Sequence, residues 1–312
     1  GGGYGERLAD LLDRGLLKER RGRYYLSADI AYPSKDVSIR GMGGNEYTVI
    51  DGDTGAILEV LDSASVFFQL FPGAVYLHQG ESYIVRSLDI ETHIAHVNGT
   101  DEAYYTEAKD ITELAVKKVL RSGFIRGVQV YLGEVEVTVT VIGFKRKAQF
   151  TEEVLSEEPL TLPPQRFETV ALWFEIPDGL SKEVDNLAKG LDFAGGLHAV
   201  EHAAIGILPL YALCDRNDIG GLSTPLHPDT GVATVFIYDA HAGGVGIAEK
   251  GYEMMVHLWE ASLKTVAECP CDSGCPACIQ SPKCGNNNEP LDKAAAQALL
   301  RGLLGIISTG DD

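Results

Sequence analysis

The sequence predicts an α+β protein, and three observations carry that reading. Strand patterns dominate from residue 31 to about 176, helical patterns take over beyond Pro177, and five of the six cysteines crowd between Cys269 and Cys284. The predicted parts are 1–30, a helix and a short hairpin; 31–165, a β-rich, barrel-like region; and 166–312, an α+β region built around the cysteine loop.

The first part opens on Gly1-Gly2-Gly3, to which no structure is assigned. From Gly5 to about Leu17 the residues Leu8, Leu11, Leu12 and Leu16 recur at helical spacing, and Gly15 marks the stop. Two strand-like pieces then flank a basic turn at Gly22, in the manner of the last helix and wing of a winged-helix domain. In the second part, Tyr47–Ile50 and Ala56–Val60 flank the turn formers Asp51-Gly52-Asp53-Thr54-Gly55, and Val75–Leu77 and Tyr83–Val85 flank Gly80-Glu81. Val135, Val137, Val139 and Val141 alternate with Glu136, Thr138 and Thr140, the pattern of a strand with one wet face. Thr169–Ile176 reads as a more buried strand. Three helices are expected over Ala194–Leu213, Gly246–Glu268 and Leu291–Leu304.

A chain of 312 residues with 45% hydrophobic content can bury a substantial core. It shows no secretory signal pattern and no apolar run approaching the roughly eighteen residues of a membrane span, so a cytoplasmic protein without a membrane partner is expected. The formal charge of −19 argues against a broad phosphate-binding surface, and any contact with nucleic acid must be local or shared with other parts.

The cysteine segment reads Cys269-Pro270-Cys271-Asp272-Ser273-Gly274-Cys275-Pro276-Ala277-Cys278-Ile279-Gln280-Ser281-Pro282-Lys283-Cys284. With little that is apolar besides Ile279, it cannot order itself by burial, whereas a zinc ion held by thiolates makes metal binding and loop ordering a single event. Cys271, Cys275, Cys278 and Cys284 are chosen as ligands, with Cys269 as a spare or substitute. Four thiolates leave no position for water, so the ion is expected to be structural. An iron–sulfur cluster and free thiols in a mobile loop stay open as alternatives.

Other constellations are weaker. His198-Ala199-Val200-Glu201-His202 matches the inverted H-x-x-E-H zinc-peptidase pattern, but the sequence offers no evident third ligand, and a structural or DNA-facing polar face is preferred. The turn Tyr238–Gly246 could offer N–H groups to a phosphate; tight helix packing is the favoured reading. Cys214 is expected in the core. Lys18, Arg20, Arg21 and Arg23, beside Tyr24 and Tyr25, form one basic cluster and Lys145, Arg146 and Lys147 another. Such residues either contact phosphates without reading sequence or make a solvated turn.

Taken together, Ala31–Arg40 (AYPSKDVSIR), Phe71–Gly80 (FPGAVYLHQG), Tyr104-Tyr105-Thr106, His198–His202, Cys214-Asp215-Arg216 and the cysteine segment resemble the C-terminal half of MrfA-like helicases. These are bacterial superfamily 2 DNA repair helicases related to a RecQ4-like group. The resemblance implies a winged-helix remnant followed by a zinc-binding domain, with Cys271, Cys275, Cys278 and Cys284 at the metal-binding places. It further implies an accessory region that guides single-stranded or forked DNA for a 3′ to 5′ helicase in DNA repair. Its partners would be motor domains in the same polypeptide and a possible repair nuclease. No Walker A sequence and no Asp-Glu-x-His box occur, so a fragment without catalytic activity of its own is expected, with ATP and Mg2+ bound only by the full-length enzyme. A protein-interaction module recruiting repair partners is the alternative, with a zinc peptidase using His198, Glu201 and His202 third.

Overall fold

The computed structural model describes residues 3–27, 46–180 and 191–306. Two compact units are present, Gly1–Gly43 and Gly44–Asp312. The block Ala31–Arg40 lies outside the described residues.

In the first unit, helix α1 (Gly3–Asp13) precedes strands β1 (Leu17–Arg20) and β2 (Arg23–Leu26). The helix ends sooner than its leucine spacing predicts, because Gly15 takes a left-handed φ of 69° and its N–H turns back to the Leu12 carbonyl. Arg21 and Gly22 both have positive φ, as a two-residue type I′ connection requires. The register pairs Leu17 with Leu26, Lys18 with Tyr25, Glu19 with Tyr24 and Arg20 with Arg23. Since opposed residues share a face, Lys18, Arg20, Arg23 and Tyr25 line one side of the ribbon, and Leu17, Glu19, Tyr24 and Leu26 the other.

The second unit begins with β3 (Glu46–Asp51), β4 (Ile57–Asp62), α2 (Ser63–Gln69), β5 (Val75–His78), β6 (Glu81–Asp89) and β7 (Ile94–Gly99). They form a five-stranded sheet in the order β4-β3-β7-β6-β5, with β3 and β7 parallel. Tyr47, Val49, Phe67, Phe71 and Val97 are among its core residues. Helix α2, which the sequence pattern did not suggest, starts where Asp62 accepts the Ser65 N–H at 3.0 Å.

A long hairpin of β8 (Tyr104–Ile125) and β9 (Val128–Ala148) follows, then β10 (Val154–Pro159) and β11 (Gln165–Glu175). After α3 (Phe193–Ile207) and α4 (Pro209–Ala212) come β12 (Ile219–Thr224) and β13 (Thr234–Asp239). These strands form a six-stranded sheet in the order β10-β9-β11-β13-β12, with β8 also on β9. The loop after β12 returns to β8: the His227 imidazole bonds the Leu114 carbonyl at 3.0 Å, and Asp229 accepts the Val116 N–H at 2.7 Å. The sheet therefore curls until its outer strands approach one another. It also runs across residue 165, where the sequence reading placed a boundary, because β11 pairs with β9 from Gln165 onward.

Both faces of this sheet are covered, which is why Thr169–Phe174 is buried without interruption. Ala171 and Trp173 point to one side, where the Trp173 ring stacks on Tyr131 and Phe236 at centroid distances of 5.1 and 5.5 Å. Val170, Leu172 and Phe174 point to the other, against α3, α5 (Ile247–Glu253), α6 (Met255–Glu268) and α7 (Lys293–Leu303). The stretch Phe193–Ala212 is, contrary to expectation, long and apolar enough to cross a membrane, but most of it is buried in the protein as a core helix. Its close approach to α7 depends on Gly196, where a Cβ would lie 2.6 Å from that of Ala295.

Gly133 on β9 tests this packing. A Cβ there would sit 2.3 Å from the Lys118 carbonyl oxygen and 2.9 Å from the Trp173 ring. Gly133→Ala is expected to lower stability by roughly 1–3 kcal/mol, read as a lower urea midpoint with an unchanged slope.

Candidate metal centres

Helix α6 ends at Glu268, and Cys269 leaves it in an extended conformation. The chain then brings the sulfurs of Cys269, Cys271, Cys275 and Cys278 together. Cys269 lies 3.5 Å from both Cys271 and Cys275, Cys271 lies 3.5 Å from Cys278, and Cys275 lies 3.8 Å from Cys278. Zinc–sulfur bonds of about 2.3 Å in a tetrahedron imply sulfur–sulfur edges of about 3.8 Å, so the residues present fit a zinc ion. The Cys275 N–H points at the Cys278 sulfur (3.3 Å) and the Cys278 N–H at the Cys275 carbonyl (3.0 Å). Gly274, at φ 117°, lies where any Cβ would strike Ile279, whose side chain is fully buried beneath the loop.

The clustered set differs from the expected ligands at a single position: Cys269 lies in the cluster, and Cys284 does not. The reason lies beyond Ile279, where Asn287 and Asn288 adopt left-handed conformations and the Asn288 N–H donates to the Cys284 sulfur at 3.2 Å, turning that residue elsewhere. Lys293, at the start of α7, is a feature sequence reasoning missed. Its ammonium donates to the carbonyls of Cys269 (2.7 Å) and Cys271 and reaches the Cys271 sulfur at 3.4 Å. It thereby offsets part of the net negative charge that four thiolates around a divalent ion would carry. Burial resists ionisation of Cys271, yet hydrogen bonds from Cys269, Cys278, Cys275 and Lys293 outweigh it and bring that thiol down to about 7. Burial pushes Cys278 up to about 12.

Cys284 meets the two histidines instead. Its sulfur lies 3.4 Å from Nε2 of His198, and one ligand atom from each of His198, His202 and Cys284 falls within 4.8 Å of the other two. The third partner that the His198–His202 pattern lacked in sequence thus arrives from 82 residues further along. Nδ1 of His198 is 2.9 Å from the Pro290 carbonyl, and Nδ1 of His202 is 2.8 Å from the Ile279 carbonyl. Burial lowers both imidazoles, His202 to about 4, and keeps them neutral. Glu201, between them on α3, is buried; that burial pushes its carboxyl up to about 7 against the hydrogen bonds from Ser223. Those bonds commit it to β12, where Gly221 leaves room for it.

The remaining candidates resolve by geometry. In the glycine-rich turn, the fully buried Asp239 accepts the N–H groups of Val245, Gly246 (2.9 Å), Ile247 (3.2 Å) and Ala248 (2.7 Å). The chain's own carboxylate fills the place a phosphate would take at the start of α5. Lys145, Arg146 and Lys147 pair with Glu157, Glu158 and Glu107, so that cluster is neutralised within the fold. Arg20, Arg21 and Arg23 are exposed and make no ion pair among the described residues; Lys18 is exposed too. Cys214 is half-buried beside the core.

A family described as the MrfA Zn-binding domain matches residues 200–279, a span that holds all four clustered sulfurs. Within residues 200–279 the chain therefore carries the pattern of the MrfA zinc-binding domain. It is 29% identical over 279 residues to the uncharacterized ATP-dependent helicase YprA of Bacillus subtilis, covering 87% of this chain and 36% of that protein. It is 28% identical over 290 residues to the ATP-dependent helicase HRQ1 of Saccharomyces cerevisiae, covering 88% of this chain and 27% of that protein. A crystal structure of the DUF1998 helicase MrfA bound to DNA superposes with a TM-score of 0.58 at 26% identity, over 95% of this chain and 39% of that one. The chain therefore corresponds to a helicase-related zinc-binding region and spans about a third of the length of these relatives.

Two outcomes are expected. Cys269→Ser should release the zinc of the four-thiolate site on dialysis, measured by elemental analysis. Asp239→Ala, which strands the buried N–H groups of Ile247 and Ala248, should cost about 2–4 kcal/mol in denaturant unfolding.

Proposed function

We propose that this chain is the DNA-guiding accessory region of an ATP-dependent 3′ to 5′ DNA helicase that acts in repair in the cytoplasm. Motor domains in the same polypeptide would bind ATP and Mg2+ and move the strand. The observation that carries this reading is the β1–β2 ribbon: in a chain of net charge −19, Lys18, Arg20 and Arg23 share one exposed face with Tyr25. Cations at that spacing suit successive phosphates, and an exposed tyrosine beside them offers a surface on which a base can stack. The family's helicase relatives, and the DNA in the MrfA crystal structure, support the same role. In this picture the α1–β2 segment acts as the last helix and wing of a winged helix at the fork, and the four-thiolate loop stiffens the zinc-binding region that carries it.

The high acidity of the rest of the molecule favours one other role, docking of a protein partner such as a repair nuclease. The two separate in one experiment. Anisotropy of a labelled single strand and of a fork should show affinity falling with salt, with a log–log slope near −2, about −0.7 for each of three phosphate contacts. Arg20→Glu with Arg23→Glu should abolish most of that slope. An affinity indifferent to salt and to both substitutions would contradict a phosphate-based contact and leave recruitment as the better account.

A further inference from the structure

The four-thiolate site and the basic ribbon leave His198, His202 and Cys284 without a task. We propose that these three residues form a second metal site, separate from the first. It would hold a zinc ion, or another borderline divalent cation, through Nε2 of each histidine and Sγ of the cysteine, with water in the fourth position.

The two histidines lie four residues apart on α3, which sets them on one face with ring centroids 4.2 Å apart. A carbonyl oxygen only accepts, so the bonds to Pro290 and Ile279 place the proton on Nδ1 of each ring. Each Nε2 is left with its lone pair, the tautomer and orientation that a metal-binding imidazole takes from its outer hydrogen bond. Hydrogen bonding within the trio alone would need just one such ring, because one thiol has one proton to give. Here both rings are held in the same way, by carbonyls from opposite ends of the segment 279–290.

Cys284 is prepared in a matching fashion. The Asn288 N–H donates to its sulfur at 3.2 Å, as the Cys275 N–H donates to Cys278 at 3.3 Å within the four-thiolate site. Main-chain N–H bonds of this kind stabilise a thiolate. Two imidazoles and a thiolate are the mixed nitrogen–sulfur donor set that zinc prefers. Among the described residues, no further His, Cys, Asp or Glu offers an atom to this group. Three protein ligands with one place open is the arrangement of an exchangeable zinc site, in contrast to the closed set at Cys269–Cys278. A metal here would fasten the 279–290 segment to α3, as the first fastens 269–278.

The test is a metal count on the whole chain, loaded with zinc and dialysed against metal-free buffer. Native mass spectrometry should find two ions per chain in the wild type and one in both Cys284→Ser and His202→Gln. Alkylation followed by peptide mass mapping gives a second readout without any substitution: zinc should protect Cys284 from iodoacetamide, and a chelator should expose it. One ion per chain in the wild type, with Cys284 alkylated equally fast with and without zinc, would overturn the proposal. The count and the protection are both read on the wild type, so a variant that fails to fold cannot hide either result.

Discussion

Between α6 and α7 the chain runs for more than twenty residues and buries only Cys278 and Ile279. Apolar burial of that size cannot order such a length, since fixing each residue costs on the order of 1–2 kcal/mol in backbone entropy alone. The order comes from sulfur and from main-chain polar groups: four thiolates around one point, Lys293 tied to the carbonyls of Cys269 and Cys271, and the imidazoles of α3 tied to the carbonyls of Ile279 and Pro290. Everything that makes this region a metal-binding one rests on that replacement of hydrophobic by coordinate and polar bonding.

The replacement works because the surroundings are rigid. Helix α3 lies deep in the core, and Gly195 and Gly196 let α7 and its preceding turn approach it closely. Asp292 caps α7 through the Ala295 N–H at 2.9 Å and at the same time accepts the Asp192 N–H before α3 at 2.8 Å, so one carboxylate joins the starts of both helices. Lys293 stands immediately after that cap. The cation that faces the four sulfurs is thus positioned by a helix N-terminus rather than by a loop, which costs less entropy on metal binding.

Sequence made the general character of the fold legible and blurred its partners. The valine alternation at 135–141 and the buried run at 169–176 became β9 and β11 because alternation and a short continuous apolar run are both local properties of a strand. The sharing of one sheet across residue 165 was invisible, since strand pairing over long separations leaves no mark in either strand alone. The same limit governs the cysteines. Their spacing fixes that a metal can be held, but Cys269 and Cys284 flank the central pair at distances that both permit ligation. The choice is made by the end of α6 at Glu268 and by the left-handed turn at Asn287-Asn288, which are decided by tertiary packing. Asp239 escaped notice for a related reason: a glycine-rich turn before a helix looks like an anion site, and only the fold shows that the anion is already inside the chain.

Charge distribution follows from the same economy. Inside the larger unit, the lysines and arginines of β9 face glutamates on β8 and β10, so cross-strand pairing consumes them. These pairs are half-buried on the cationic side, and they keep those side chains out of solution contacts. The β1–β2 ribbon opposes Arg20 with Arg23 across its strands, and such like charges repel one another unless an anion lies between them. A ribbon that places arginine opposite arginine beside a tight I′ turn gains nothing in the isolated hairpin. On the function proposed above, a phosphate chain lying on that face would relieve this repulsion, which ties the ribbon's register to the salt dependence expected of it.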